Sequence, residues 1–253
     1  MLPEERKRQL VELVTTRGGC RVEELAAELD VSETTIRRDL DDLEAKNLIN
    51  RTHGGAMPVV DRVNEYEKRT VRNREAKEAV AARAVEEIHE GQVVVFDSGS
   101  TTLAVSRQVP EDLSFAAVTN HPMIAYQLGG GAADVRLTGG RFQQEQQRLA
   151  GPLAERAIER LNFDLAFVGT DGIDADAGLT TAYHDAARLK ELMIEHSQRS
   201  VLVADHSKFG SRNMVQFCTF EEIDLVVTDR RVPDRIREAL AAAGVDIAHD
   251  PDR

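Results

Sequence analysis

The stretch that decides the fold of the N-terminal region is Ser32–Leu43, SETTIRRDLDDL. Ser32 is a favourable residue to begin a helix, and Glu33 places a carboxylate in the first turn, where the helix dipole favours it. Apolar side chains recur at helical spacing, at Ile36, Leu40 and Leu43. The stretch therefore predicts a helix with one buried face. Its opposite face carries hydroxyl and guanidinium groups, at Thr34, Thr35, Arg37 and Arg38.

Two helical patterns precede this helix, and two strand patterns follow it. The first helical pattern covers residues 3–16 and the second covers residues 22–29. Strand patterns at 48–52 and 56–60 flank a tight turn, His53-Gly54-Gly55. Three helices followed by a two-stranded wing predict a winged helix-turn-helix over residues 1–60.

The exposed face of the third helix carries groups that suit a DNA duplex. Arginine can form two hydrogen bonds to a guanine edge or bind a phosphate, and threonine suits a phosphate or a thymine methyl group. The alternative is a solvated helix face, because residues 1–60 hold 9 basic and 12 acidic residues, whereas most DNA-binding domains are basic. The residues expected to contact DNA are Ser32, Thr34, Thr35, Arg37 and Arg38, with Arg51, Thr52 and His53 from the wing.

The pattern changes after the wing. Residues 61–74 are charged and poor in aliphatic pairs, which predicts a connector. Over 75–253, apolar runs alternate with helical patterns, which predicts a mostly parallel sheet covered on both faces, a Rossmann-like α/β domain. Strands are predicted at 93–96, 115–118, 135–137, 165–168, 201–203 and 225–227. Helices are predicted at 75–89, 101–108, 121–128, 152–161, 184–196 and 233–243.

Small and hydroxyl-bearing residues follow the ends of these strands. Ligands of open α/β sheets bind beyond the carboxyl ends of the strands, where backbone N–H groups and helix N-termini suit an anion. The sequence therefore predicts a site for a phosphorylated small molecule, with Ser98–Thr102 around the phosphate, Lys208 as a counter-charge, and Asp97 and Asp171 on sugar hydroxyls. The predicted effector-site residues are Asp97, Ser98, Gly99, Ser100, Thr101, Thr102, Thr119, Asn120, Gly139, Gly140, Asp171 and Lys208.

Motifs of several enzyme classes are absent from the sequence. It has no Walker-type phosphate loop, no dinucleotide fingerprint and no zinc-protease helix. The seven histidines are scattered, and Cys20 and Cys218 have no partner at metal-ligand spacing. We therefore expect no metal, no cofactor and no catalytic site, and we expect both cysteines to be buried.

The amino-acid composition indicates the salt concentration in which the protein works. The 253 residues include 44 acids and 32 bases, and 26 of the bases are arginines. An excess of carboxylates with few lysines is typical of proteins from a salt-rich cytoplasm, where screening removes self-repulsion. The alternative is an ordinary acidic protein from a GC-rich genome. No apolar run approaches the roughly 18 residues that a membrane span needs, and no secretory leader is found, so a cytoplasmic protein is predicted.

The sequence resembles the DeoR family of prokaryotic sugar-metabolism regulators over nearly its full length. The resemblance is carried by Ser32-x-x-Thr35-Ile36-Arg37-Arg38-Asp39-Leu40, by Arg51–Ala56, by Asp97–Thr102 and by Ala204–Gly210. It implies a winged helix-turn-helix joined to a domain like ribose-5-phosphate isomerase. It also implies operator binding, usually repression, that a sugar phosphate relieves. The glycerol- and fructose-regulon members look most similar.

Two departures from the isomerase pattern bear on catalysis. Asp171-Gly172-Ile173-Asp174 keeps part of the Asp-Gly-Ala-Asp run of the isomerases, but their Lys-Gly-Gly-Gly loop is missing. We therefore do not expect isomerase activity.

The expected function is that of a transcriptional regulator, a homo-oligomer (dimer or tetramer) that binds double-stranded operator DNA. The alternatives are a sugar-phosphate isomerase-like enzyme that uses Asp171 or Asp174 as its base, and a dimerising adaptor.

Overall fold

The computed structural model describes residues 3–17, 19–29, 31–45, 48–52, 54–58 and 65–249. Contacts divide the chain into two compact units, Met1–Glu65 and Tyr66–Arg253. This division differs from the predicted connector at 61–74, because Glu65–Val71 form a helix and Tyr66 is only 4% exposed within an apolar cluster of the larger unit. One buried aromatic ring thus anchors a stretch in which most other residues are charged or polar. Residues 61–64 lie outside the described residues.

The smaller unit contains the three predicted helices and the wing. Ser32 begins the third helix as predicted, since its Oγ accepts a hydrogen bond from the backbone N–H of Thr35 at 3.2 Å. A short strand that the sequence did not predict joins the wing in an antiparallel sheet of order β1-β3-β2. The elements are α1 (Pro3–Arg17), β1 (Cys20–Arg21), α2 (Val22–Leu29), α3 (Glu33–Ala45), β2 (Ile49–Thr52) and β3 (Gly55–Pro58).

One apolar core holds the smaller unit together. Leu10 from α1, Leu25 from α2 and Leu40 from α3 are fully buried in the same cluster. Gly55 is required where β3 approaches β1, because a Cβ at this position would lie 2.1 Å from the carbonyl oxygen of Cys20. The core fixes which face of α3 remains in solvent.

The larger unit alternates strands with helices, as the sequence predicted. Its helices are α4 (Glu65–Val71), α5 (Arg74–Ala84), α6 (Ser100–Gln108), α7 (Pro122–Leu128), α8 (Pro152–Glu159), α9 (His184–Glu195) and α10 (Asp234–Ala242). Its strands are β4 (Val93–Phe96), β5 (Ala116–Thr119), β6 (Asp134–Leu137), β7 (Arg141–Gln143), β8 (Arg148–Ala150), β9 (Leu165–Val168), β10 (Gly172–Asp174), β11 (Gly178–Thr181), β12 (Ser200–Val203), β13 (Val215–Cys218), β14 (Leu225–Thr228) and β15 (Asp246–His249).

Seven strands form one parallel sheet in the order β15-β14-β12-β9-β4-β5-β6. In the six strands from β15 to β5, neighbouring residues enter two different apolar clusters, as Val95 and Phe96 do in β4, so both faces are covered there. From β4 the chain adds β5 and β6 on one side and then crosses to β9 on the other. The carboxyl ends of β4 and β9 therefore flank a topological switch point, where α/β proteins bind ligands. The predicted fold class is confirmed.

The short strands outside the large sheet were missed by the sequence analysis. β7 and β8 form a hairpin, and β10, β11 and β13 form a small antiparallel sheet. Polar residues or glycines interrupt these strands, so none of them contains three consecutive apolar residues. In the described ranges no helix is long and apolar enough to cross a bilayer.

Candidate functional site

The α3 surface is defined here as Thr34, Arg37 and Arg38, the exposed side chains near the start of α3. Arg37 forms a salt bridge of 3.2 Å to Glu33, one helical turn earlier. In the described part of the chain, the side chain of Arg38 is exposed and forms no hydrogen bond or salt bridge. Thr35 is partly buried, and its hydroxyl shares a hydrogen bond of 2.9 Å with Ser32. Of the two arginines on the α3 surface, Arg37 is thus paired and Arg38 is not.

The predicted wing contacts have different roles. Arg51 forms an ion pair with Asp41 and donates a hydrogen bond of 3.2 Å to the backbone carbonyl of Arg37. The Arg51 side chain therefore joins β2 to α3. Thr52 is exposed, whereas His53 lies outside the described residues.

A small cleft opens at the carboxyl ends of β4 and β9, where the sequence predicted a ligand site. The predicted residues Asp97–Thr101, Asp171 and Lys208 line it. Three cationic side chains that the sequence analysis missed also line it: Arg69 from α4, Arg148 from β8 and Lys190 from α9. With Gly169, Thr170 and Thr181 these residues are called the cleft below. The cleft thus contains four cations and two carboxylates in a chain of net charge −12.

A buried ion pair lies at the base of the cleft. The Lys190 ammonium contacts the Asp97 carboxylate and donates a hydrogen bond of 2.8 Å to the carbonyl oxygen of Gly169. The backbone N–H of Gly169 donates to the same carboxylate at 3.1 Å. Asp97 is 2% exposed and Lys190 is 7% exposed. The pair ties β4, β9 and α9 together at the switch point.

The loop Ser98–Thr102 begins helix α6. The Thr102 hydroxyl accepts a hydrogen bond of 2.8 Å from the Gly99 N–H and contacts the carbonyl oxygen of Asp97 at 2.6 Å, so it shapes the loop from beneath. The first N–H groups of a helix have no acceptor within the helix. Ser100 and Thr101 therefore present backbone donors to the cleft at the positive end of the α6 dipole.

Asp171 is held by three groups, two at the end of β11 and one on α4. Thr181 donates to its carboxylate at 2.7 Å, the N–H of Ala182 donates at 3.2 Å, and Arg69 forms a salt bridge of 3.4 Å. Burial disfavours the charged carboxylate, but the bond from Thr181 and the charges of Lys190 and Arg69 outweigh it and lower the pKa of Asp171. Asp171 is therefore a carboxylate whose partners include a cation of α4.

Arg148, which also lines the cleft, is held in place by three side chains. Its guanidinium donates to the side chain of Gln143 and to Asp185, each at 2.7 Å, and it stacks on the ring of Tyr183 at 5.3 Å. Since Arg148 is only 6% exposed, these contacts leave it little freedom. It contributes a positioned charge to the cleft.

Helix α4 is attached to the larger unit by several contacts. The ring of Tyr66 packs on that of His121 at 4.8 Å. Lys77 of α5 contacts the carbonyl oxygen of Arg69 and donates to that of Arg72 at 2.7 Å. Burial lowers the pKa of Lys77 to about 8 and that of His121 to about 4. The chain thus enters the larger unit through a helix that also supplies Arg69 to the cleft.

Five of the predicted effector-site residues do not line the cleft: Thr102, Thr119, Asn120, Gly139 and Gly140. The Thr119 hydroxyl donates to the carbonyl of Phe96 at 2.9 Å, and Asn120 lies behind Ser98, with its amide 3.4 Å from the Ser98 hydroxyl. Gly140 has a φ of +111°, and a Cβ there would lie 2.7 Å from the carbonyl oxygen of Ala150. In the structure these residues support the loops around the cleft.

Metal binding has no support in the described ranges. They contain no group of three or more histidine, cysteine, aspartate or glutamate side chains that could hold a metal ion. Neither Cys20 nor Cys218 forms a disulfide in the described structure, and both are buried, as predicted.

Two family models match the two parts of the chain. A model of the DeoR-like helix-turn-helix domain matches residues 6–60, and a model of the DeoR C terminal sensor domain matches residues 72–230. Together they cover the α3 surface, the wing and almost the whole cleft.

Curated relatives match along nearly the whole chain. The HTH-type transcriptional regulator GlpR of Haloferax volcanii is 50% identical over 249 residues, which are 98% of this chain and 98% of the relative. The glycerol-3-phosphate regulon repressor of Escherichia coli is 34% identical over 239 residues, or 93% and 94% of the two chains. These relatives are named as regulators, not as enzymes.

Similarity to solved structures is weaker. Ribose 5-phosphate isomerase A of Methanocaldococcus jannaschii is 17% identical, with a TM-score of 0.41 over 54% of this chain and 55% of its own.

Proposed function

The chain belongs to the DeoR family of DNA-binding transcriptional regulators, and on this premise we propose that it represses genes of sugar or polyol catabolism. A phosphorylated sugar or polyol would bind in the cleft and lower the affinity for the operator. The name of the Escherichia coli relative, a glycerol-3-phosphate regulon repressor, supports this class of gene.

The observation that carries the proposal is the charge of the cleft. Arg69, Arg148, Lys190 and Lys208 converge there although acids outnumber bases by 12 in the chain. Such a cluster favours an anion, and the N-terminal backbone of α6 adds donors suited to a phosphate. Asp171 lines the same cleft and would accept hydrogen bonds from sugar or polyol hydroxyl groups.

Arg69 links the cleft to α4, the first helix of the larger unit. In the described structure Arg69 neutralises Asp171. A bound phosphate would compete with Asp171 for the guanidinium, because a doubly charged anion attracts it more strongly than one carboxylate. Arg69 lies on α4, so this exchange would shift α4 and the chain that leads to the DNA-binding unit. Coupling between sites in regulators typically amounts to about 1–3 kcal/mol.

The α3 surface would contact the operator. Arg38 would bind a base edge or a phosphate, and Thr34 and Arg37 would flank it. A dimer would place two α3 helices on half-sites about one helical turn apart, as symmetric operators require.

The acidic composition supports function in a salt-rich cytoplasm. There the release of counterions contributes little to DNA affinity, so direct contacts such as those of Arg38 must carry it. On this proposal, operator binding persists in molar potassium chloride.

The test combines a thermal-shift screen with an operator gel at low and at molar potassium chloride. Glycerol 3-phosphate and fructose 1-phosphate are compared with glycerol and fructose, because bound ligand raises the melting temperature. We expect that a phosphorylated compound, and not its unphosphorylated parent, raises the melting temperature. The same compound should dissociate the protein from a DNA fragment of its own promoter. Arg38→Ala should lose the fragment and keep the ligand-induced stabilisation. A chain that responds to no phosphorylated compound, or an Arg38→Ala variant that binds DNA normally, contradicts the proposal.

A further inference from the structure

The strand β6 ends the seven-stranded sheet, and in the described part of the chain no strand pairs with its outer edge. Unpaired sheet edges bind further strands unless they are protected. We propose that β6 is the interface at which two copies of this chain form a two-fold dimer with one continuous sheet. This inference does not depend on the ligand or on the operator.

The backbone of β6 determines which residues can pair across this edge. The N–H groups of Asp134 and Thr138 donate to the carbonyl oxygens of Phe115 and Thr119, beside and within β5, at 2.9 and 3.1 Å. Successive residues of a strand direct their backbone groups to opposite edges. Val135 and Leu137 therefore present N–H and C=O groups to the outer edge.

The charges of β6 select one register. Asp134 and Arg136 are 67% and 62% exposed in their side chains and form an ion pair of 3.0 Å within the strand. When the two-fold axis passes through Val135, Asp134 lies opposite Arg136 of the second copy, and Arg136 lies opposite its Asp134. These are non-hydrogen-bonded positions, where side chains of antiparallel strands approach most closely.

Neighbouring registers are unfavourable. An axis at Arg136 places two arginines opposite each other, and an axis at Asp134 places two carboxylates opposite each other, which destabilises an antiparallel pair. Charged side chains oppose unspecific pairing at a sheet edge. The self-complementary pair Asp134–Arg136 favours one antiparallel partner, which is a second β6.

Exposed apolar side chains concentrate in the segment of the chain that contains this edge. Nine large apolar side chains are exposed in the described ranges, and five of them fall between residues 123 and 153. Helix α7 packs against β6, and Leu153 lies 3.4 Å from the position of a Cβ on Gly139, just after β6. Pairing of the four residues of β6 would bury too little area for a stable dimer. The exposed apolar side chains would add area to this contact. The five residues are Met123, Tyr126, Leu137, Phe142 and Leu153.

The test measures the mass of the full chain in solution at low salt, by light scattering over a dilution series. We expect a wild-type mass of at least two chains. Arg136→Asp should halve this mass, because it places four carboxylates across the axis, and the double variant Asp134→Arg/Arg136→Asp should restore it. The matched control is Arg235→Asp, which makes the same charge change in an exposed ion pair with Asp176 elsewhere in the larger unit.

A backbone variant tests the pairing itself. Val135→Pro removes an N–H that faces the outer edge, and a proline is tolerated on an edge strand of a monomer. We expect it to halve the mass without a large change in melting temperature, whereas Val135→Ala keeps the wild-type mass. A monomeric wild type, an unchanged mass in Arg136→Asp, or a double variant that stays dissociated would overturn the proposal.

Discussion

Arg69 and Asp171 are 102 residues apart in the sequence and form a salt bridge of 3.4 Å in the cleft. The bridge connects the first helix of the larger unit to the loop that follows β9. It gives α4 a direct contact with the proposed ligand site, and its removal is the most informative change at that site.

We predict that Arg69→Gln weakens binding of the phosphorylated ligand by about ten- to a hundred-fold, the loss expected for one charge-assisted hydrogen bond. Isothermal titration calorimetry measures the effect. The control is Arg72→Gln, because the side chain of Arg72 is exposed and only its carbonyl oxygen is used, by Lys77. Equal affinities for the two variants would show that Arg69 does not contact the ligand.

The Asp97–Lys190 pair gives a prediction about stability. Asp97→Asn or Lys190→Met leaves the other group buried without its partner, which costs about 3–5 kcal/mol of unfolding free energy. The double variant should lose less than the sum of the two, by about 1–3 kcal/mol, since neither charge then remains unpaired. Urea unfolding of the four proteins measures this coupling. Additive losses would mean that the pair contributes nothing as a unit.

Arg38 and Arg51 should behave differently although both were predicted to contact DNA. Arg38→Ala should reduce operator affinity without a change in melting temperature, because no side chain of the described structure binds it. Arg51→Ala should lower the melting temperature as well, because Arg51 joins β2 to Asp41 and to the backbone of α3. Melting curves and gel shifts of both variants separate the two roles. If Arg38→Ala melts earlier than Arg51→Ala, the two roles are reversed.

His121 predicts how stability depends on pH. Burial lowers its pKa to about 4 in the folded chain, whereas its ordinary value is 6.5. Between these values the unfolded chain takes up a proton and the folded chain does not, so stability is lost as the pH falls from 6.5 to 4. The difference of more than two units corresponds to about 3 kcal/mol.

The matched variant for this prediction is His121→Asn. Asparagine can still accept the hydrogen bond that Nδ1 of His121 receives from the N–H of Met123 at the start of α7, but it does not titrate. Urea midpoints at pH 8, 6 and 4.5 should therefore fall less steeply for the variant than for the wild type. Parallel pH profiles would contradict the assignment to His121.

Features encoded within one element were predictable from the sequence. Helix α3 was predicted from the spacing of Ile36, Leu40 and Leu43, all of which are buried. Six strands of the large sheet were predicted from apolar runs, and β15 was missed. The loop Asp97–Thr101 was placed at the cleft because it follows one of these strands.

Features that depend on contacts between distant elements were not predictable. No sequence motif marks the three cations that were missed. Arg69 lies in a stretch of mostly charged residues, Arg148 in a hairpin and Lys190 in an amphipathic helix. Only the fold brings them to one cleft. Conversely, Gly139 and Gly140 have φ values of +73° and +111°, so a backbone that requires glycine produced the pattern attributed to ligand binding.

The scarcity and burial of lysines have a practical consequence. Of the four lysines whose side chains the structure describes, Lys77 and Lys190 are buried, Lys7 pairs with Asp42, and Lys208 opens into the cleft. An amine-acylating reagent would therefore modify few positions in the folded protein. Mass-spectrometric footprinting of Lys208 thus provides an occupancy signal with little background from the other described lysines of the larger unit, Lys77 and Lys190.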